Sequence, residues 1–281
     1  MTDATARTAA PLSLPSVPLS GDLVFFLATV WEFSAVCAGF PGGRAETCHG
    51  LTVYRAPAGP HECWVVQSGV GGVRAASAAR TVLAQRRFAL AVSSGFACAL
   101  VPAVVGDILV GTDVTMVSQS GKALSDSLAV AGSDRDAVRV AIEAGESGVP
   151  VHRGGFLSVD QVVHRVADKM VLANRVGVVG LDMESAALAQ AARDAAVPFL
   201  IVRTVSDLVT EELPLDFNLF LRPTGWLKGI GFVLTHPACL VGIARLGRQS
   251  RIAAKTLTAC LLRVSRAAVP IGVDGPETKA V

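Results

Sequence analysis

The sequence predicts an α/β fold in a single domain, with a mixed, largely parallel sheet flanked by helices. Three observations carry that reading. Continuous apolar runs such as "LVFFLATV" at 23–30 have strand length and no polar alternation, as do strands buried on both faces. These runs alternate with Ala-rich stretches such as "ESAALAQAARDAA", and strand–helix alternation implies a sheet covered on both sides. At 281 residues, 51% hydrophobic and 17% charged, the chain can bury one substantial core.

In chain order, residues 1–21 are rich in Ala, Thr, Ser and Pro and read as a disordered lead. "LVFFLATV", with "AVCA" after it, could imitate a secretory signal. Asp22 and Glu32 bracket it, however, and only one Arg and no Lys precede it, so a buried first strand is expected. "TVYRA" and "CWVVQS" read as strands, and "SGVGGVRAASAARTVLAQ" as a Gly-rich turn feeding a helix. "FALAVSSGFACAL" and the long "GDILVGTDVTMV" are strands; residues 122–147 read as helical. "SVDQVVHRVADKMVLANRVG" reads largely as a helix closed by Gly. "VGVVGLD", "ESAALAQAARDAA" and "PFLIVRTVSD" follow as strand, helix and strand. The catalytic domain is expected over 22–215. Residues 216–281 read as a basic, apolar helical extension, with no acidic residue between Asp216 and Asp274.

Several function classes drop out. A net charge of +2 gives no global field for nucleic acid. No run reaches the roughly 18 apolar residues of a membrane span. None of the six cysteines falls in a C-x-x-C or zinc spacing, so free thiols in a reducing cytosol, and no metal, are expected.

Ligands of such sheets gather at the carboxyl ends of strands. Ser68, Ser94, Asp182 and Asp207 all end apolar strands, and Glu184 starts the helix after one of them. Burial favours the protonated form of an acid, which could let Asp207 donate a proton; capping a following helix is its other reading. Glu184 suits a helix start by charge and could accept two hydroxyl hydrogen bonds from a ribose, while Asp182 fits the capping role. Glu32 follows Trp31 after the first strand and is by itself a weak signal. "SGVGGVRA" has the form of a tight turn beside a ligand, without a Walker or G-x-G-x-x-G pattern.

Four blocks together resemble the nucleoside phosphorylase and nucleosidase superfamily, over about residues 22–210: "ATVWE", "SGVGGVRAASAA", "SSGFACALVPAVVGDILV" and "GLDMESAALAQAARDAAVPFLIVRTVSD". The resemblance implies that Asp207 protonates N7 of a leaving purine, that Glu184 binds the ribose hydroxyls, and that Met183 packs on the sugar. It implies that Glu32 orients attacking water and that Ser206 helps position the base. Val162 and Val163 would hold the base, with Phe156 a substitute for a missing aromatic ring, and Ser94 and Gly95 complete the substrate-binding set. "GFACAL" departs from the family pattern, with Cys98 and Ala99 at two glycine positions. Arg74 and Arg203 are the only nearby candidates for phosphate, so water and phosphate both stand as nucleophile, and no other cofactor is implied. A homo-oligomer is implied by analogy.

The tail resembles that of hopanoid-associated phosphorylases, which implies an adenosyl-lipid substrate and release of adenine. Arg245, Arg248, Arg251, Lys255, Arg263 and Arg266 fall on one helical arc, with Ile243, Leu246, Leu257, Leu261 and Val264 opposite. That pattern reads either as a helix on an anionic membrane, apolar side to the acyl chains, or as a solvated face of a helix packed on the core. A cytoplasmic nucleosidase for methylthioadenosine or adenosylhomocysteine, and a silent nucleoside-binding protein, are the alternatives.

Overall fold

The computed structural model describes residues 21–59, 61–117, 127–145, 148–175, 177–213 and 239–267. The expected lead, Gly21 excepted, lies outside the described residues. The apolar run at 23–30 supplies strand β1 (Leu23–Leu27), and all five of its residues are buried. It runs parallel to β4 (His61–Gln67) on one side and to β5 (Leu90–Ala99) on the other. Antiparallel β3 (Leu51–Ala58) and β2 (Arg44–Cys48) extend the sheet beyond β4.

The sheet forks at β5. Its first residues, Leu90–Ser93, pair with β1, whereas its last two, Cys98 and Ala99, pair with antiparallel β9 (Val178–Asp182). Its other edge pairs with parallel β10 (Phe199–Leu208). From β10 the pairing continues through antiparallel β6 (Ile108–Val117) to β8 (Val151–Val159) and back to β9, both parallel steps. Strands β5, β10, β6, β8 and β9 therefore close into a ring, and β7 (Ser127–Gly132) hangs antiparallel on β6. The sheet is mixed as expected, with antiparallel pairings as frequent as parallel ones among the described strands.

Helices cover both faces. On one, α2 (Gly72–Leu83) and α5 (Ser185–Asp194) lay Ala75, Ala79, Val82, Leu188 and Ala192 on the sheet. These Ala-rich faces let the two helices approach one another, with Gly72 against Ala187. On the other face, α1 (Val30–Gly39) contributes Phe33 and Val36, and α3 (Arg135–Gly145) contributes Ala137, Val138 and Ala141. Helix α6 (Cys239–Ala267) joins that layer with Leu257, Cys260, Leu261 and Val264, all essentially inaccessible. The short α4 (Val166–Ala173) sits beside the end of β10.

Three expectations change. Of the tail, residues 239–267 are described and form a long helix with an exposed basic face at Arg248, Arg251 and Lys255; Leu257, Leu261 and Val264 opposite pack on the protein and do not face acyl chains, whereas Val241, Ile243 and Ile252 stay exposed. Residues 122–147 are not uniformly helical, because β7 precedes α3. The stretch at 158–177 holds only eight helical residues, since Ser158 and Val159 finish β8 and a loop follows. Among the described residues no helix is long and apolar enough to cross a membrane.

Candidate active site

Between its pairings with β1 and with β9, the edge of β5 at Ser94–Ala97 has no strand partner on that side. A backbone polar group left unpaired in the interior is costly, and side chains satisfy Phe96 on both counts. Its N–H donates to Glu32 Oε1 at 2.7 Å, and its carbonyl accepts from Arg203 Nη1 at 3.1 Å. The fork thus draws a carboxylate and a guanidinium to the wall of a cavity of about 180 Å³. Gly95 makes the approach feasible: a Cβ there would lie 2.5 Å from Glu32 Oε1, and its φ of +134° suits only glycine.

Glu32 is buried and has a second role. Thr29 and Glu32 form a capping box at the start of α1, with the Thr29 N–H and hydroxyl both donating to Glu32 Oε2 at 2.8 Å. Glu184 enters from the start of α5. Its Oε1 accepts the Gly71 N–H at 2.8 Å, and Arg203 Nη2 lies 3.4 Å from its Oε2. The Gly-rich turn therefore holds a carboxylate; Gly71, at φ 92° and ψ 152°, adopts a backbone open only to glycine. Burial pushes the Glu184 carboxyl up to about 7, against the opposing pull of Arg203, with Asp182 adding to the rise.

Asp182 anchors the turn into α5. It accepts the Glu184 and Ser185 N–H groups at 3.2 Å, the Ser158 hydroxyl at 2.7 Å and the Ser185 hydroxyl. Arg203 is fully buried between these acids. Its Nε is 2.8 Å from Asp182 Oδ2, an ion pair by distance although the N–H does not point at the oxygen. Its Nη2 donates to Ser93 Oγ at 3.0 Å. Burial opposes its charge, but the carboxylates of Asp182, Glu184 and Glu32 outweigh that and hold it cationic.

Asp207 sits at the end of β10, where the register with β5 slips between Val205 and Asp207. The bulge breaks the two-residue alternation, so that Ser206 and Asp207 both line the cavity. Ser206 donates to Asp207 Oδ1 at 3.0 Å, and the buried Lys169 of α4 donates to Oδ2 at 2.7 Å. Residues 209–213 form no helix, which leaves Asp207 nothing to cap there. Met183, Val162 and Val163 line the same cavity, as do Phe96, Cys98 and Leu213.

Other candidates lie elsewhere. Phe156 points into the closed strand ring, where its ring lies against Gly111 and Gly180, and it is 1% exposed. Ser94 is buried with its hydroxyl unpartnered and off the cavity wall; the neighbouring Ser93 is the one that reaches Arg203. Ser68 bonds the Leu27 carbonyl at 3.1 Å. Arg74 is exposed on α2, in an outer cavity of about 620 Å³ that shares Val70, Val159 and Met183 with the inner one. Arg203 is present but committed to acids. Sequence reasoning missed Lys169, for which no pattern exists, and Thr29, which the T-x-x-E signature could have revealed. No group of three or more His, Cys, Asp or Glu among the described residues could hold a metal ion.

A cavity at strand ends, with one carboxylate at a bulge, one at a helix start and one beside the β5 edge, is the arrangement that the sequence's resemblance to purine nucleoside phosphorylases and nucleosidases implies. The phosphorylase superfamily model matches residues 22–222, and the chain belongs to that superfamily. It is 30% identical over 168 residues to the 5′-methylthioadenosine/S-adenosylhomocysteine nucleosidase of Haemophilus influenzae, covering 56% of this chain and 73% of that one. The nucleosidase of the same name from Exiguobacterium sp. is 29% identical over 171 residues, 56% and 72% covered. The solved Neisseria meningitidis nucleosidase, bound to methylthio-immucillin-A, shares the fold at a TM-score of 0.67 and 19% identity, over 87% of this chain and 98% of that one. A Helicobacter pylori futalosine hydrolase superposes at 0.64 and 19%, covering 86% and 98%.

Proposed function

We propose that the chain hydrolyses the N-glycosidic bond of a 5′-substituted adenosine of the methylthioadenosine or adenosylhomocysteine kind. One observation carries the choice of water over phosphate. The inner cavity is lined by the carboxyl groups of Glu32, Asp182, Glu184 and Asp207, and the one cation among its described lining residues, Arg203, is already shared among acids. A phosphate dianion would meet repulsion there, whereas an oxocarbenium-like state gains from the same charges.

In this reading Asp207 passes its proton to N7 of the purine, and the C1′–N9 electron pair leaves with the base, which departs neutral. Glu184 accepts hydrogen bonds from the ribose hydroxyls as positive charge develops at C1′. A water oriented by Glu32 bonds to C1′ through its oxygen and gives its proton to that carboxylate. Exchange with solvent returns one proton to Asp207 and removes one from Glu32. The outer cavity, which shares the lining residues Met183 and Val159 with the inner one, would give a 5′ substituent room. The relatives' names support this substrate class.

The adenosyl-lipid substrate rested on the tail. The superfamily match ends at residue 222, and Leu257, Leu261 and Val264 of α6 are spent on the core, so that substrate has lost its support. Competition between methylthioadenosine and an adenosine carrying a long hydrocarbon at C5′ tests the choice. Faster adenine release from methylthioadenosine is expected, and the reverse preference would restore the lipid substrate. By likeness to the family we take the working unit to be a homo-oligomer, which sedimentation would read.

A further inference from the structure

Lys169 lies in the middle of α4 with none of its surface exposed. A buried ammonium is tolerated only when its protons are used. All three are: to Asp207 Oδ2 at 2.7 Å, to the Leu208 carbonyl at 3.2 Å and to the Glu211 carbonyl at 2.9 Å. Two of the three acceptors are main-chain carbonyls, so the contact is more than an ion pair; it ties the chain leaving β10 to α4.

Both pieces of chain joined by that tie line the cavity. The loop entering α4 carries Val162 and Val163, and the segment after Glu211 carries Leu213. The two meet again where the Leu213 N–H donates to the His164 carbonyl at 3.2 Å. Lys169 therefore fixes in one place the acid, the bulge that aims it and two walls of the same cavity.

We propose that Lys169 is a positioning residue for protonation of the leaving base. It holds Asp207 at the angle the bulge provides. Its ammonium also faces the carboxylate that Asp207 becomes once its proton has passed to N7. The inference rests on the hydrolytic reading above.

The test compares two substrates: methylthioadenosine, whose base needs a proton to leave, and 4-nitrophenyl riboside, whose nitrophenolate leaves without one. Lys169→Met is expected to lower kcat/KM on methylthioadenosine by about 10²-fold, within the range for loss of general acid catalysis. The nitrophenyl riboside should lose only a few-fold. Adding Lys169→Met to Asp207→Asn should cost little more than Asp207→Asn alone, because residues acting as a unit are not additive. Equal losses on both substrates, or losses that multiply in the double variant, would overturn the assignment and leave a structural role. If Lys169→Met does not fold, Lys169→Arg, which keeps the charge but moves it, is read on the same two substrates. A wild-type protein that cleaves neither substrate overturns the hydrolytic reading and this inference together.

Discussion

Glu184 and Asp207 carry the most at the scale of single residues. Glu184 is held by the Gly71 N–H and Arg203 and lines the cavity. Glu184→Gln should therefore harm ribosides more than 2′-deoxyribosides, by about 1–3 kcal/mol of coupling, the size of a charge-assisted hydrogen bond. Equal losses on the two sugars would show that Glu184 does not hold the 2′-hydroxyl. Its carboxyl is raised to about 7 by burial, so kcat/KM on ribosides should climb through neutral pH as Glu184 ionises. That limb should vanish in the Gln variant. For Asp207, whose carboxylate lies between Ser206 and Lys169, Asp207→Asn should lower turnover by about 10²–10⁴-fold. The melting temperature should fall as well, because the amide oxygen can still accept from Lys169 but no longer offsets the charge of that buried ammonium. Turnover within a few-fold of wild type would refute its role as the acid.

The bulge at Ser206, the fork of β5 and the packing of α6 matter at the scale of elements. The strand-end carboxylates were legible in the sequence, because an acid closing an apolar run is visible without knowing its neighbours. The fork was not: it depends on where β1 stops pairing with β5 and β9 begins, and pairing between distant segments leaves no local pattern. Strand β8 was missed for a related reason. Its "VHRGGFLSV" carries two glycines that weaken a strand reading, yet the strand is secured by its place in the closed ring. Phe156 looks available for stacking in the sequence because its environment inside that ring cannot be seen from spacing. The amphipathic pattern of α6 was legible, but whether its apolar side meets lipid or protein was not. Since Leu261 is fully buried against the sheet layer, Leu261→Ala should destabilise the fold by about 2–5 kcal/mol. Activity per folded molecule should persist. Chemical denaturation read alongside turnover would show it, and a change under 1 kcal/mol would mean that α6 is not part of the core.

The whole molecule stores its functional charges at a cost. Glu184 keeps its proton to about pH 7 when folded, against 4.5 ordinarily. Its contribution to stability is therefore fully present below about pH 4.5 and is lost as the pH rises to about 7. Glu184→Gln should flatten that part of the stability profile; an unchanged slope would mean that the buried carboxyl is not the source. The cost is consistent with a cavity arranged for a cation that exists only during bond cleavage. Hydrolysis at such a centre is tested most directly by incubating the protein with methylthioadenosine in ¹⁸O-labelled water, with and without phosphate, and weighing the sugar product. The expected result is adenine together with a free methylthioribose carrying one ¹⁸O at C1′, at a rate indifferent to phosphate. A sugar 1-phosphate formed only when phosphate is present, without label, would contradict it.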